Sequence, residues 1–220
     1  MFRLISNSRT WLAASLIFCA GLVFFAQRPL WHTDLWGHLS YGRMIWNSGQ
    51  LPTSEPWLLI GDQREVIDTA WLSQLLLYGT ETISGTGGLQ LGYALTLTLM
   101  CLMIFLTAYQ LSQRMFVSLL GTALFLWLEW EQFKIIRPQL AGSLFYVLLC
   151  CRFQLPLKPS LIWWLPPILL LWANLHGSFI MGLGLTGALS LTLLIISVHK
   201  THSLTQWSRD PSFLFSASCS

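Results

Sequence analysis

Three short stretches hold most of the groups able to do chemistry. "RPLWHTDLWGHLSYGRMIWNSG" (28–49) sets Asp34 and His38 four residues apart, with Arg43 beyond them. "EWEQFKIIRPQ" (129–139) carries Lys134 and Arg137 beside two glutamates. "WANLHGS" (172–178) carries Asn174 and His176. On a helix Asp34 and His38 share one face, a spacing seen in metal ligation, but nothing nearby supplies the further ligands a divalent ion needs. Asp34 also stands where a helix begins, so capping is the alternative use of its carboxylate. His176 lies at a break between two apolar runs, where a buried, hydrogen-bonded histidine is the alternative to a binding role. Arg28, Trp31, Trp36 and Glu131 are of the types that anchor a chain at a membrane surface.

The elements that must position these groups are membrane elements. The chain is 54% hydrophobic and 10% charged, against roughly 45–50% and 25% in soluble domains. No charged residue occurs from Thr82 to Gln113, nor from Ser160 to Val198 if His176 is neutral. A span needs about 20 apolar residues, so these stretches alone require two. Six hydrophobic segments are expected, near 11–27, 89–109, 115–129, 139–153, 161–175 and 178–198. The third and fourth are short, with 14 uncharged residues between Arg114 and Glu129 and 14 between Arg137 and Arg152. They are tilted spans or a re-entrant hairpin buried against protein. The fold class is therefore all-α, a polytopic helical membrane protein. Residues 1–198 form one membrane domain with a long outer loop at about 28–88, and 199–220 form a polar, Ser-rich tail.

The N-terminal run, Trp11 to Gln27, is long for a signal peptide and reads as an uncleaved span. With the N-terminus cytoplasmic, Arg3, Arg9, Arg114, Arg152, Lys158, Lys200 and Arg209 lie inside, 7 of the 12 basic residues, and 8 of the 9 acidic residues lie outside. That count favours this orientation. Odd-numbered segments then all end on the outer face, which brings the three polar stretches together. In the outer loop, "DLWGHLSYGRMIWN" places Leu35, Leu39 and Trp46 on one helical side and Asp34, His38 and Tyr41 near the other. "AWLSQLLLYGTETI" (70–83) is a second amphipathic helix, with Trp71, Leu75 and Tyr78 on one side. The net charge of +3 is scattered, which excludes a nucleic-acid surface. Four of the five cysteines sit inside apolar runs and form neither a disulfide framework nor a CxxC motif.

The order of motifs carries a resemblance. "TDLWGHLSYGRMIWNSGQLPTSEPW", "WLSQLLLYGTETISGTGGL", "IRPQL" and "LWANLHGSFIMGLGL" resemble, across about residues 28–190, bacterial membrane proteins of the GT-C glycosyltransferase superfamily, near its protein O-mannosyltransferase-like branch. The group's pattern is Asp-x-Trp-x-His-Leu followed by Gly-Arg, a turn like Pro-x-x-Asp-Pro, a Trp-Leu helix, an Arg-Pro pair and Leu-Trp-x-Asn-x-His-Gly. Glu55 stands here where the group often has Asp. The resemblance implies an enzyme of the bacterial cytoplasmic membrane. It would pass a sugar from a polyprenyl-phosphate donor, drawn from the membrane lipid, to an acceptor on the outer face. Asp34 matches the catalytic base, a carboxylate suited to taking an acceptor hydroxyl's proton. Arg137 and Lys134, with Arg43, are the cations for the lipid phosphate leaving group. Asn174, His176 and His38 are the remaining substrate-binding candidates. Some superfamily members use a divalent metal; nothing in this sequence fixes a cofactor. Enzymes of this group usually have more spans, so the resemblance also raises an inactive fragment, or a partner subunit supplying the missing spans. The competing reading is a non-enzymatic membrane subunit or transporter fragment whose outer polar cluster binds a ligand.

Overall fold

The computed structural model describes residues 8–30, 32–54, 67–156 and 161–207, with side chains omitted at 8, 9, 161 and 200–207. Trp31, the turn containing Glu55, Lys158 and residues 208–220 of the tail lie outside the described residues. The described chain is all-helical, with no β-strand among the described residues. Its helices are α1 (Ser8–Ala26), α2 (Thr33–Ser48), α3 (Trp71–Ser112), α4 (Met115–Leu128), the single turn α5 (Trp130–Phe133), α6 (Gln139–Phe153), α7 (Leu161–Leu175) and α8 (Phe179–Trp207).

Local chemistry explains the breaks. α2 ends at Gly49, whose φ of 67° lets its N–H reach the Ile45 carbonyl at 2.9 Å. α3 ends at Gln113, also left-handed with φ 56°, whose side-chain amide donates to the Gln110 carbonyl at 2.9 Å. α6 starts directly after Arg137-Pro138, because the residue before a proline is steered away from helical ψ. The expected amphipathic helix at 70–83 and the apolar segment at 89–109 follow one another in α3 as two helices that meet at a kink in "SGTGG", where Gly85 is non-helical at φ 64° and ψ −163°.

Residues up to Ile180 form one compact unit. At its centre α3 packs against α1, α2, α4, α6 and α7. Leu89, Tyr93, Leu97 and Met100 of α3 make a buried stripe at helical spacing. Against it lie Phe25 of α1, Leu35 and Leu39 of α2, and Phe133, Ile136, Leu140 and Val147 around α6. Edge-on rings lock α1 to the far half of α3: Trp11 to Tyr109 at 5.0 Å and Phe18 to Phe105 at 5.4 Å.

α2 crosses the start of α3 at Gly42, where a Cβ would meet the Gln74 carbonyl oxygen at 2.2 Å. This contact corrects the expected face of α2. Leu35, Leu39, Gly42 and Ile45 are buried, whereas Trp46 stays 60% exposed and only meets the Tyr78 ring edge-on at 6.2 Å. The crossing at Gly42 rolls the end of the helix so that Ile45 faces inward. On α3 Trp71, Leu75 and Tyr78, expected on one side, are each partly buried, and Tyr78 packs against the core. The buried residues of its first turn are polar, Ser73 and Gln74.

A second unit begins at Met181, inside α8. That helix continues through the start of the polar tail to Trp207, and its described side chains are largely exposed. Among the described residues two helices are long and apolar enough to cross a membrane: α3, and α8 over its 21 residues Phe179–His199. Helix α1 over Thr10–Ala26, α4, α6 and α7 over Ile162–Leu175 are apolar but shorter. α7 has 15 residues, no more than α6, so it is as short as the two segments expected to be marginal. The outward faces stay apolar, with Phe116, Trp127 and Trp163 all more than 70% exposed. Six spans are the sequence expectation; length and composition support two.

Candidate functional site

The polar groups of the first unit gather where the start of α2, the start of α3, the α5–α6 turn and the end of α7 meet. His32 occupies the position before α2, so Asp34 is a first-turn residue and not the cap. Its carboxylate instead turns to Arg137, Oδ2 lying 2.9 Å from Nε. The charges are close, yet the Nε–H does not line up on an acceptor. The contact is therefore an ion pair without a well-formed hydrogen bond. The two side chains keep 42% and 28% of their surface exposed, which limits what the pair adds to stability.

His32 links the same two residues. Its Nδ1 lies 3.2 Å from the Asp34 backbone N–H and 3.5 Å from Asp34 Oδ1, and its Nε2 lies 3.2 Å from Arg137 Nη2. A neutral imidazole has one acceptor nitrogen. Nδ1 accepts from the Asp34 backbone N–H, which caps the start of α2, and arginine only donates, so in that tautomer the approach of Nε2 to Arg137 is a close polar contact and not a second accepted bond.

His38, one turn along α2, faces the start of α3. Its Nδ1 lies 3.4 Å from Gln74 Nε2, and the same amide donates to Asp68 Oδ1 at 3.3 Å. Asp68 Oδ1 also accepts from the Ala70 backbone at 2.9 Å, which shapes the entry into α3. Asp68 Oδ2 and Gln74 Oε1 are buried without a hydrogen-bond partner. Burial pushes the His38 imidazole below its ordinary pKa; Asp34 and Asp68 pull it up, and His176 and Arg137 push it down.

The end of α7 is tied to the start of α3 by two bonds. Trp71 Nε1 donates to Asn174 Oδ1 at 3.0 Å, and Ser73 Oγ donates to the Leu175 carbonyl at 2.6 Å. Asn174 also donates to the Leu170 carbonyl, so both ends of its amide are engaged within the protein. His176 Nδ1 accepts from the Ser178 backbone at 3.1 Å and lies 2.8 Å from Ser178 Oγ, which accepts from the fully buried Trp172 indole at 3.1 Å. Burial lowers the His176 pKa. Helix α6 comes in close here: a Cβ on Gly142 would lie 2.2 Å from Ser178 Oγ and 3.3 Å from His176 Nδ1.

Beside the ion pair lies a small cleft open to solvent, whose enclosed space is about 10 Å³, roughly room for one water. Arg28, His32 and Lys134 supply its polar lining, and Leu30, Leu35, Tyr93 and Ile136 supply apolar walls. Buried bonds hold its rim. Tyr93 Oη donates to the Phe133 carbonyl at 2.7 Å, and Gln90 Nε2 donates to the Arg28 carbonyl at 2.9 Å. The Arg28 guanidinium sits 4.8 Å from the Phe24 ring centre and 4.9 Å from that of Trp130. Lys134 is ion-paired with the exposed Glu131.

Of the sequence candidates, Asp34, Arg137 and His38 come together, with His176 near enough to act on His38, and Lys134 lines the adjoining cleft. Asn174 is engaged in holding α7 to α3. Arg43 is exposed on α2 and enters none of these contacts. Sequence reasoning passed over His32, Asp68, Ser73, Gln74 and Ser178. Only two of these carried a local signal, a polar residue just ahead of a helix in "HTDLW" and in "IDTAW". Among the described residues no three His, Cys, Asp or Glu side chains gather in a way that could hold a metal ion. No protein-family model, curated protein or solved structure matches the chain.

Proposed function

We propose that the chain is a membrane glycosyltransferase of the GT-C kind, moving a sugar from a polyprenyl-phosphate donor to an acceptor hydroxyl at the outer face of a bacterial cytoplasmic membrane. One juxtaposition carries the reading. A half-exposed carboxylate, Asp34, stands against Arg137, and His32, which touches both, lines a neighbouring cleft that combines cations with apolar walls. Transfer from a lipid phosphate asks for those parts. Asp34 takes the acceptor hydroxyl's proton as that oxygen bonds to the sugar's anomeric carbon. The bond from that carbon to the phosphate oxygen breaks, and its electron pair leaves with the polyprenyl phosphate. The new charge on the phosphate falls to Arg137, with Arg28 and Lys134 in the cleft.

Asp34→Asn keeps the shape and removes the base. In membranes supplied with a radiolabelled polyprenyl-phosphate sugar, it is expected to lower transfer by about 10²-fold or more; unchanged transfer would sink the assignment. A second reading, a non-enzymatic subunit or transporter fragment that binds a ligand at its outer cluster, is favoured by the inward engagement of Asp34, Asn174 and His176. Undiminished ligand binding with no transfer by the unaltered chain would support it.

A further inference from the structure

We infer that Asp34 occupies the anion position of Arg137 as a stand-in, and that a lipid phosphate entering the adjoining cleft displaces it. This rests on the reading of the cleft as a phosphate site and deepens it by giving the order of events. The resident pair is built to exchange. Asp34 meets Arg137 through Nε alone, at 2.9 Å and without alignment of the N–H, while Nη2 is turned to His32. The two-pronged bond in which arginine holds an oxyanion best is not made. Asp34 thus neutralises the guanidinium without using its donor geometry.

The incoming group has a place beside this pair. His32, which touches both partners, also lines the cleft together with Arg28 and Lys134. The partner of Lys134, Glu131, keeps 75% of its side-chain surface exposed, so that pair also opens at little cost. A sugar-linked lipid phosphate is a diester with one negative charge, the charge of the carboxylate it replaces. The swap keeps Arg137 neutralised throughout. It leaves Asp34 without its counter-ion only once the phosphate is seated. A base freed in this way acts on an acceptor only when a donor is present, which guards the activated site against idle chemistry.

The test is a double-substitution cycle on the full chain in detergent, reading the affinity for methyl dodecyl phosphate, a short lipid phosphodiester. Asp34→Asn is expected to tighten binding about five-fold, since it no longer competes for Arg137. In an Arg137→Gln background the same change is expected to do nothing. A gain of equal size in both backgrounds would mean simple charge relief and overturns the exchange, as does no gain with Arg137 intact. Arg28→Gln should weaken the probe equally with or without Asp34→Asn; unequal weakening also overturns it. Inorganic phosphate should bind at least about ten times more weakly than the lipid diester, because it leaves the apolar walls unused; equal affinity overturns the lipid assignment. Probe binding without any sugar transfer leaves the exchange standing and removes the enzyme. If no variant binds the probe, the exchange and the phosphate reading of the cleft fall together.

Discussion

Burial sets the His38 imidazole below its ordinary pKa, and the two carboxylates that face it, Asp34 and Asp68, only partly oppose that effect. The ring is therefore neutral at pH 7 and can accept from Gln74 at Nδ1. The sign for stability follows from linkage. Below the unfolded pKa of 6.5 the unfolded chain takes up the proton first. The stability that His38 contributes is thus present above that pH and is lost as pH falls toward the lower folded value. Proton titration of His38 by NMR should give a midpoint below 6.5. Asp68→Asn should lower it further, because Asp68 holds it up. A midpoint that rises in Asp68→Asn contradicts the stated balance of charges. At this scale the sequence was legible only in part. Asp34 and His38 share a helix face by spacing alone. Ser73 and Gln74 were hidden, because a polar residue facing inward breaks the apolar periodicity. The partners that make its burial tolerable, His38 and the Leu175 carbonyl beside Ser73, lie 36 and 102 residues away.

The helices themselves were easier to read, because charged residues end them. Arg114 and Glu129 bracket α4, and Arg137 and Arg152 mark the ends of the apolar run in α6, at positions visible by inspection. What could not be read is how closely two helices approach. Gly37 and Gly42 sit five residues apart in the same helix and look alike in sequence. A Cβ on Gly37 meets nothing within 4 Å, whereas one on Gly42 meets the Gln74 carbonyl at 2.2 Å. Backbone cannot step aside as a side chain can. Gly42→Ala is expected to destabilise the fold by about 1–3 kcal/mol through overpacking. Gly37→Ala is expected to stabilise it by about 0.5–1 kcal/mol through helix propensity. Thermal unfolding of the two variants in one detergent decides the matter, and equal shifts would mean that α2 does not cross α3 at Gly42. Gly142→Ala should fall between them, since the group it meets is the Ser178 hydroxyl, which can rotate away but then releases His176.

At the scale of the molecule, contact replaces parity as the argument for a shared face. Counting spans placed the polar stretches together only if every segment crosses. The ion pair between Asp34 and Arg137 requires the start of α2 and the start of α6 to lie at one depth, however many segments cross. α4 and α6, with 14 and 15 residues, extend about 21–23 Å at 1.5 Å per residue, short of the ~30 Å hydrocarbon layer. Their far ends, Arg114 and Arg152, therefore reach the opposite surface only if the membrane thins; otherwise the pair stays buried as a hairpin. Single cysteines in a chain lacking its own separate these cases. Trp36→Cys and Glu131→Cys, at positions 45% and 75% exposed, should both react with an impermeant maleimide from outside intact cells. Arg114→Cys and Arg152→Cys should react only after permeabilisation if α4 and α6 span, and should resist the reagent on both sides if they form a buried hairpin. Reaction at position 36 from outside and at 131 only from inside would break the shared face and with it the site.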